Sequence, residues 1–110
     1  MNSKKRKAFQ RKGKFLVYIV ECIDGTYYTG YTNDLERRIK EHNNSKRGAK
    51  YTRYKRPVRL IWSKKYHQFR SAFKVERIIK DLTRKQKEAL VNGRRLDKVL
   101  EEARKYGNRK

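Results

Sequence analysis

Phe15–Cys22 reads FLVYIVEC, and after Asp24-Gly25 the chain resumes as Thr26–Tyr31, TYYTGY. The first stretch is an unbroken apolar run of aromatic and β-branched residues, the composition of a central strand covered on both faces. Asp-Gly is a two-residue turn signal of the hairpin kind. The second stretch then returns as the paired strand. The fold therefore starts as a β-hairpin that carries several tyrosines, Tyr18 on one strand and Tyr28 on the other.

Beyond the hairpin the periodicity changes. Asn33 is a good helix N-cap, and Glu36 three residues later fits a capping box. Leu35, Ile39 and His42 fall on one helical stripe, with Arg38 flanking it. Asn43–Pro57 is a polar loop punctuated by Gly48 and Pro57. Val58–Ser63 (VRLIWS) reads as a third strand in which Trp62 is a core residue. A helix over about 71–82 places Ala72, Val75, Ile79 and Leu82 on its buried stripe. Thr83 caps the next helix with Gln86 at the box position, and Asn92-Gly93 stops it. Leu96, Val99, Leu100 and Ala103 describe a last amphipathic helix ending at Gly107. The order β-β-α-β-α-α-α makes the chain α+β, a three-stranded, mainly antiparallel sheet flanked by helices. Residues 1–14 form a basic arm, 15–93 the main domain, and 94–110 a helix packing on or extending it.

Charge is the dominant compositional fact. The 110 residues carry 33 Lys+Arg against 11 Asp+Glu, a formal net charge of +22. Such a surface repels itself, and a polyanionic partner relieves that repulsion. Nucleic acid is the first candidate, because counterion release rewards each neutralised phosphate. The arm at residues 1–14 has seven basic residues and no acid. It suits phosphate tracking and a solubilising tail equally well. Between His42 and Glu76 there is no acid at all, against eleven Lys or Arg. Cys22 is the single cysteine. It excludes an intramolecular disulfide and a Cys-rich zinc site, and its apolar surroundings make it a packing residue suited to a reducing compartment. No stretch has the length of a membrane span, and the basic N-terminus lacks the apolar segment of a secretory signal. The expected location is the cytoplasm, on the nucleoid in a bacterium, with the nucleus the eukaryotic alternative; a monomer is the default state.

Val17-Tyr18-Ile19 and Tyr28-Thr29-Gly30 stand on the two hairpin strands, Arg38 follows inside a helix, and Glu76 lies on a later helix. Together with Arg47-Gly48-Ala49-Lys50-Tyr51-Thr52-Arg53 and Pro57-Val58, this order resembles the GIY-YIG nuclease superfamily. It is most similar to the stand-alone, single-domain bacterial-type group, and also to the N-terminal nuclease domain of the excision-repair protein UvrC. The resemblance spans roughly 15–93. Val17 stands where the name-giving motif has glycine. Tyr31 stands where some members carry lysine. Asn92 is the nearest candidate for the asparagine that members often have after the metal glutamate.

The resemblance implies a divalent-metal-dependent endonuclease acting on nucleic-acid phosphodiester bonds, with DNA as the leading substrate and repair or recombination as the setting. Tyr28 would help activate water, Tyr18 would position water or phosphate, and Arg38 would fork onto the scissile phosphate. His42 would contact phosphate or carry a proton; the plain alternative is a packing histidine. Glu76 would hold one Mg²⁺ or Mn²⁺, with water and substrate phosphate completing the shell; the plain alternative is an ion pair with Lys80. Both tyrosines have ordinary strand packing as their alternative, and Arg38 that of a solvated helix arginine. In the loop, Lys50, Tyr51, Arg53, Tyr54, Lys55 and Arg56 interleave aromatic and basic groups suited to phosphate contact and base stacking. Two other readings stay open: a non-catalytic nucleic-acid-binding protein on the same fold, for DNA or RNA, and a basic RNA- or ribosome-associated protein.

Overall fold

The computed structural model describes residues 12–44 and 50–105. Among these residues, three strands and four α-helices follow in the order β1 (Lys12–Glu21), β2 (Tyr27–Thr32), α1 (Leu35–Asn44), β3 (Arg59–Gln68), α2 (Phe69–Lys80), α3 (Arg84–Val91) and α4 (Leu96–Lys105), with a short 3₁₀ turn at Lys50–Thr52 before β3. The sheet is antiparallel, in the order β2-β1-β3. The expected α+β layer is therefore the fold that forms. None of the helices among the described residues is long and apolar enough to cross a membrane.

β1 is the middle strand, and Val17, Tyr18, Ile19 and Val20 are all essentially inaccessible. Alternation divides them between two cores. Phe15, Val17 and Ile19 join Ala72 and Ile79 of α2, Leu90 of α3, and Val99 and Ala103 of α4. Tyr18, Val20 and Cys22 join Val58, with Leu35 and Ile39 of α1 packed against them. Each large apolar side chain removed from water stabilises the fold by roughly 1.5–3 kcal/mol. α4 contributes to the main core, so it is part of the domain's packing. Trp62 is only partly buried there.

Several boundaries differ from the sequence reading. β1 begins at Lys12, so residues 12–14 extend the strand; residues 1–11 of the basic arm lie outside the described residues. The hairpin connection is wider than the Asp-Gly pair. Cys22 N–H donates to the Thr26 carbonyl at 2.8 Å, and Asp24 accepts from the Thr26 backbone and hydroxyl at 3.0 and 2.6 Å. Gly25 takes φ +85°, open to glycine at no steric cost. Asp34, and not Asn33, caps α1: its Oδ1 accepts from Arg37 N–H at 3.1 Å. β3 runs five residues past Ser63 because β1 extends backward and keeps offering it backbone partners, as in Phe15↔Tyr66 and Leu16↔Lys65. Exposed lysines are compatible with such an edge strand. α2 consequently starts at Phe69, two residues earlier than its apolar stripe suggests.

The later helix signals hold. Thr83 accepts from Gln86 N–H at 3.2 Å, and Gln86 Oε1 accepts from Thr83 N–H at 2.9 Å. Gly93, at φ +106°, closes α3 as Arg94 N–H reaches back to the Ala89 carbonyl at 2.9 Å. Arg84 then ties α3 to the hairpin. It donates to the Gly25 carbonyl at 2.8 Å and lies 3.7 Å from the centroid of the Tyr27 ring.

Candidate active site

The hairpin register places Tyr18 opposite Gly30 and Val20 opposite Tyr28. Tyr18 and Tyr28 therefore fall on one face, their ring centroids 6.5 Å apart. A side chain at position 30 would close this face. A Cβ built there would sit 2.7 Å from Tyr18 Oη and 3.2 Å from a carbon of the Tyr28 ring. Gly30 is thus the floor over which the Tyr18 phenol lies.

α1 supplies the next two groups. His42 is fully buried, and its ring meets Tyr18 and Tyr28 edge-on, with centroids at 5.8 and 5.3 Å. His42 Nε2 lies 2.8 Å from Tyr18 Oη, and Nδ1 lies 2.9 Å from Thr52 Oγ1. Arg38 hydrogen-bonds Tyr18 and donates to Glu41 Oε1 at 2.9 Å. Guanidinium only donates. Arg38 therefore donates to the phenol oxygen, the phenol donates to His42 Nε2, and His42 Nδ1–H donates to Thr52. This assignment gives every group in the chain a partner.

Burial sets the protonation of this chain. It pushes the Tyr18 phenol up to about 12, against the lowering effect of Arg38, with Tyr28 and Glu76 adding small upward contributions. Tyr18 therefore stays a neutral phenol near pH 7. Burial also drives His42 down to about 4, helped by the nearby charges of Arg38 and Arg56. His42 is neutral at that pH, a hydrogen-bonded relay member and not a phosphate-binding cation.

Glu76 comes from α2, which packs on the opposite, Val17/Ile19 face of the sheet. It is buried, and its charge is felt at the Tyr18 phenol. Its Oε2 lies 3.0 Å from Lys80 Nζ, so the i,i+4 ion pair foreseen as its plain alternative is present. Among the described residues no cluster of three or more His, Cys, Asp or Glu side chains converges. One buried carboxylate is a donor set that suits a single hard cation whose remaining ligands are water and phosphate oxygens. Asn92 is the exposed C-cap residue of α3, its backbone N–H donating to the Glu88 and Leu90 carbonyls.

The loop residues divide. Tyr51 stacks on Tyr28 with centroids 5.8 Å apart, and Lys55 Nζ lies 3.9 Å from the Tyr51 centroid and 3.5 Å from Asp24. Lys50 and Arg53 are exposed, and Tyr54 stands 89% exposed. Arg56, expected on the surface, is half-buried, with its charge directed at His42. Residues 45–49 lie outside the described residues.

Two residues were not picked out from sequence. Thr52 is fully buried and fixes His42 from the loop. Asn43 holds the start of β3 in both directions, accepting from Val58 N–H at 2.7 Å and donating to the Val58 carbonyl at 3.1 Å. Thr52 lay within the loop motif, yet nothing local marks its hydroxyl as the partner of a histidine ten residues earlier.

The fold brings two hairpin tyrosines and a helical arginine to one face of the sheet, with a buried glutamate on the helix packed against the other. A family model described as the GIY-YIG catalytic domain matches residues 14–89. The chain belongs to the GIY-YIG family, and membership implies a nucleic-acid substrate. It is 47% identical over 81 residues to the UPF0213 protein YazA of Bacillus subtilis, covering 74% of this chain and 81% of that one. A UPF0213 protein of Halobacterium salinarum is 53% identical over 74 residues, 67% of this chain and 95% of the relative. Among solved structures, the UPF0213 protein BH0048 from Bacillus halodurans matches with a TM-score of 0.50 at 41% identity, covering 83% and 96% of the two chains. The protein EF2693 from E. faecalis matches with a TM-score of 0.53 at 44% identity, covering 76% and 88%.

Proposed function

We propose that the protein is a divalent-metal-dependent endonuclease that hydrolyses phosphodiester bonds, with DNA as its substrate and branched, nicked or damaged DNA as its preferred form. The observation that carries this reading is the convergence of Tyr18, Tyr28, Arg38 and His42 on one face of a sheet whose other face packs the helix bearing the buried Glu76 carboxylate. A pure binding surface has no use for a buried carboxylate near its phosphate contacts, because that carboxylate repels phosphate.

Each residue has a distinct task. Arg38, held by Glu41, binds the scissile phosphate and balances charge developing on its oxygens. Tyr28, half-buried at the mouth of the site, touches the attacking water; it takes up that water's proton as the phenolate, its own proton having first gone to solvent. Tyr18, neutral and tied to His42, orients that water or the phosphate through its hydroxyl. Glu76 would hold one Mg²⁺ or Mn²⁺, which when bound supplies charge neutralisation at the phosphate and at the leaving oxygen. The phosphorus–oxygen bond to the leaving group breaks as the water oxygen bonds to phosphorus. The cytoplasm is the matching compartment, and DNA repair or recombination the matching role.

The Glu76–Lys80 pair favours a second reading, a non-catalytic nucleic-acid-binding protein in which Glu76 is a structural partner of Lys80. One experiment separates the two. Plasmid and branched DNA are incubated with the protein in Mg²⁺ or in EDTA, beside Glu76→Gln. Cutting that needs the metal and is lost in Glu76→Gln supports the nuclease. Tight binding with no cutting under any condition refutes it in favour of the binding protein.

A further inference from the structure

Tyr31, Phe69 and Phe73 make an aromatic shelf where edge strand β2 meets α2. The Phe69 and Phe73 rings stack, with centroids 5.5 Å apart and planes inclined by 24°. Tyr31 meets both edge-on, at 5.6 and 6.3 Å. Phe69 is anchored against the main core, whereas Tyr31 and Phe73 stand 37% and 40% exposed. Two large aromatic faces are thus held in water by a third ring that fixes their geometry.

Cations surround the shelf. Arg77 carries its guanidinium 5.6 Å from the centroid of Phe73. Arg70, Lys74 and Arg77 are all exposed, and none is ion-paired to a carboxylate among the described residues. The shelf also borders the candidate site. Phe69, Phe73, Glu76 and Lys80 follow one helical stripe, and Phe73 precedes Glu76 by three residues, about 4.5 Å along the axis. Tyr31 directly follows Gly30 on edge strand β2 and, by alternation, lies on the α2 side of the sheet.

We propose that Tyr31 and Phe73 form a stacking platform for unpaired bases of the nucleic-acid strand being processed, with Arg70, Lys74 and Arg77 holding that strand's phosphates. A base inside a duplex presents only its edges, whereas an unpaired base offers a π-face to an aromatic ring. The platform therefore selects strands that are single, flapped or frayed next to the cut. Three exposed cations without a carboxylate ion pair among the described residues argue for a polyanion over an apolar protein partner. The placement beside the cut rests on the nuclease reading; the stacking itself does not require cleavage.

The test reads binding without cutting. Glu76→Gln protein in EDTA is titrated into a single-stranded oligonucleotide carrying 2-aminopurine and, separately, into a blunt hairpin duplex of equal length. The fluorophore should be quenched on binding to the single strand. Adding Tyr31→Leu and Phe73→Leu together should weaken single-strand binding about tenfold and remove the quenching, with duplex affinity changed less than about twofold. Tyr31→Phe with Phe73→Tyr should retain both signals, and melting curves establish that each variant is folded. Equal weakening on both ligands, or an unchanged single-strand affinity, overturns the proposal. So does loss of self-association in sedimentation with nucleic-acid binding intact, which would make the shelf a face between copies. A wild-type protein that fails to cut in Mg²⁺ would defeat the nuclease reading and leave these affinities as they stand.

Discussion

The Cβ that any residue other than glycine would carry at position 30 falls 2.7 Å from the phenolic oxygen of Tyr18. Tyr18 is in turn locked to His42 at 2.8 Å and packed in a core with no slack. Gly30→Ala must therefore push the phenol out of its relay or deform the hairpin. Overpacking of this kind costs roughly 1–3 kcal/mol. The expected outcome is a folded protein, melting several degrees lower, with nuclease activity reduced far more than its affinity for DNA. Equal activity in Gly30→Ala, measured on plasmid nicking, would show that Tyr18 does not need its observed position.

Thr52 offers a sharper test of the relay. Thr52→Val keeps the shape and removes the oxygen that accepts from His42 Nδ1–H. An unsatisfied buried donor costs about 1–3 kcal/mol. Thr52→Ser should restore both stability and turnover. The ¹⁵N shifts of His42 should report the Nδ1–H tautomer in the wild type and in Thr52→Ser, and tautomer exchange in Thr52→Val. A wild-type ring protonated at Nε2 alone would contradict the hydrogen-bond directions derived above.

The depressed His42 pKa has a consequence for stability. Burial lowers it from 6.5 to about 4 in the folded protein, so between these values the unfolded chain binds more protons than the folded one. The contribution is full above pH 6.5 and is lost as pH falls through 6.5 toward 4. Linkage puts the loss on the order of 3 kcal/mol. Urea titrations at pH 7.5, 5.5 and 4.5 should show this decline, and His42→Gln should flatten most of it. A wild-type stability that is constant across the window would mean that the ring charges without penalty.

Lys80 holds the carboxylate that a metal ion would need. Its side chain is half exposed, and pairs of this kind are worth about 0.2–1 kcal/mol. Lys80→Gln should therefore tighten Mn²⁺ binding by up to about fivefold, read by calorimetry or by the electron-spin resonance of free Mn²⁺. Glu76→Gln should bind no ion at this place. If Glu76→Gln binds Mn²⁺ as tightly as the wild type, Glu76 is not the ligand.

The exposed loop cations should appear in the salt response. Each phosphate contact contributes about 0.9 to the slope of log affinity against log salt on duplex DNA. Lys50→Gln with Arg53→Gln should make the slope shallower by up to about 1.8. An unaltered slope would place the phosphates elsewhere on the molecule.

Local rules made much of this fold readable. The FLVYIVEC run, the Thr83/Gln86 capping box and the Asn92-Gly93 stop each act within a few residues, and the structure has all three. The boundaries that shifted depend on distant partners. β3 continues through Lys64–Gln68 because β1 lies beside it, a fact no window of β3 contains. Asn33 and Asp34 are both competent caps, and Thr32 Oγ1 accepting from Asp34 N–H at 3.1 Å favours the second. In the site, tyrosines ten residues apart on a hairpin were legible as neighbours because strand alternation fixes their face. The Thr52–His42 bond was not, since it depends on how a polar loop folds back across α1. The Lys80 contact was legible from helical spacing alone.

Of the described strands, the first in chain order is the one that ends up in the middle of the sheet. Its hairpin partner follows at once, but its other neighbour is not complete until Gln68 has been synthesised, and the helix bearing Glu76 comes later still. During translation, Phe15–Val20 must therefore wait half-covered from the completion of Thr32 until Gln68 has emerged. The apolar middle strand is thus made before the elements that cover it, and the tyrosines and arginine of the candidate site before the carboxylate.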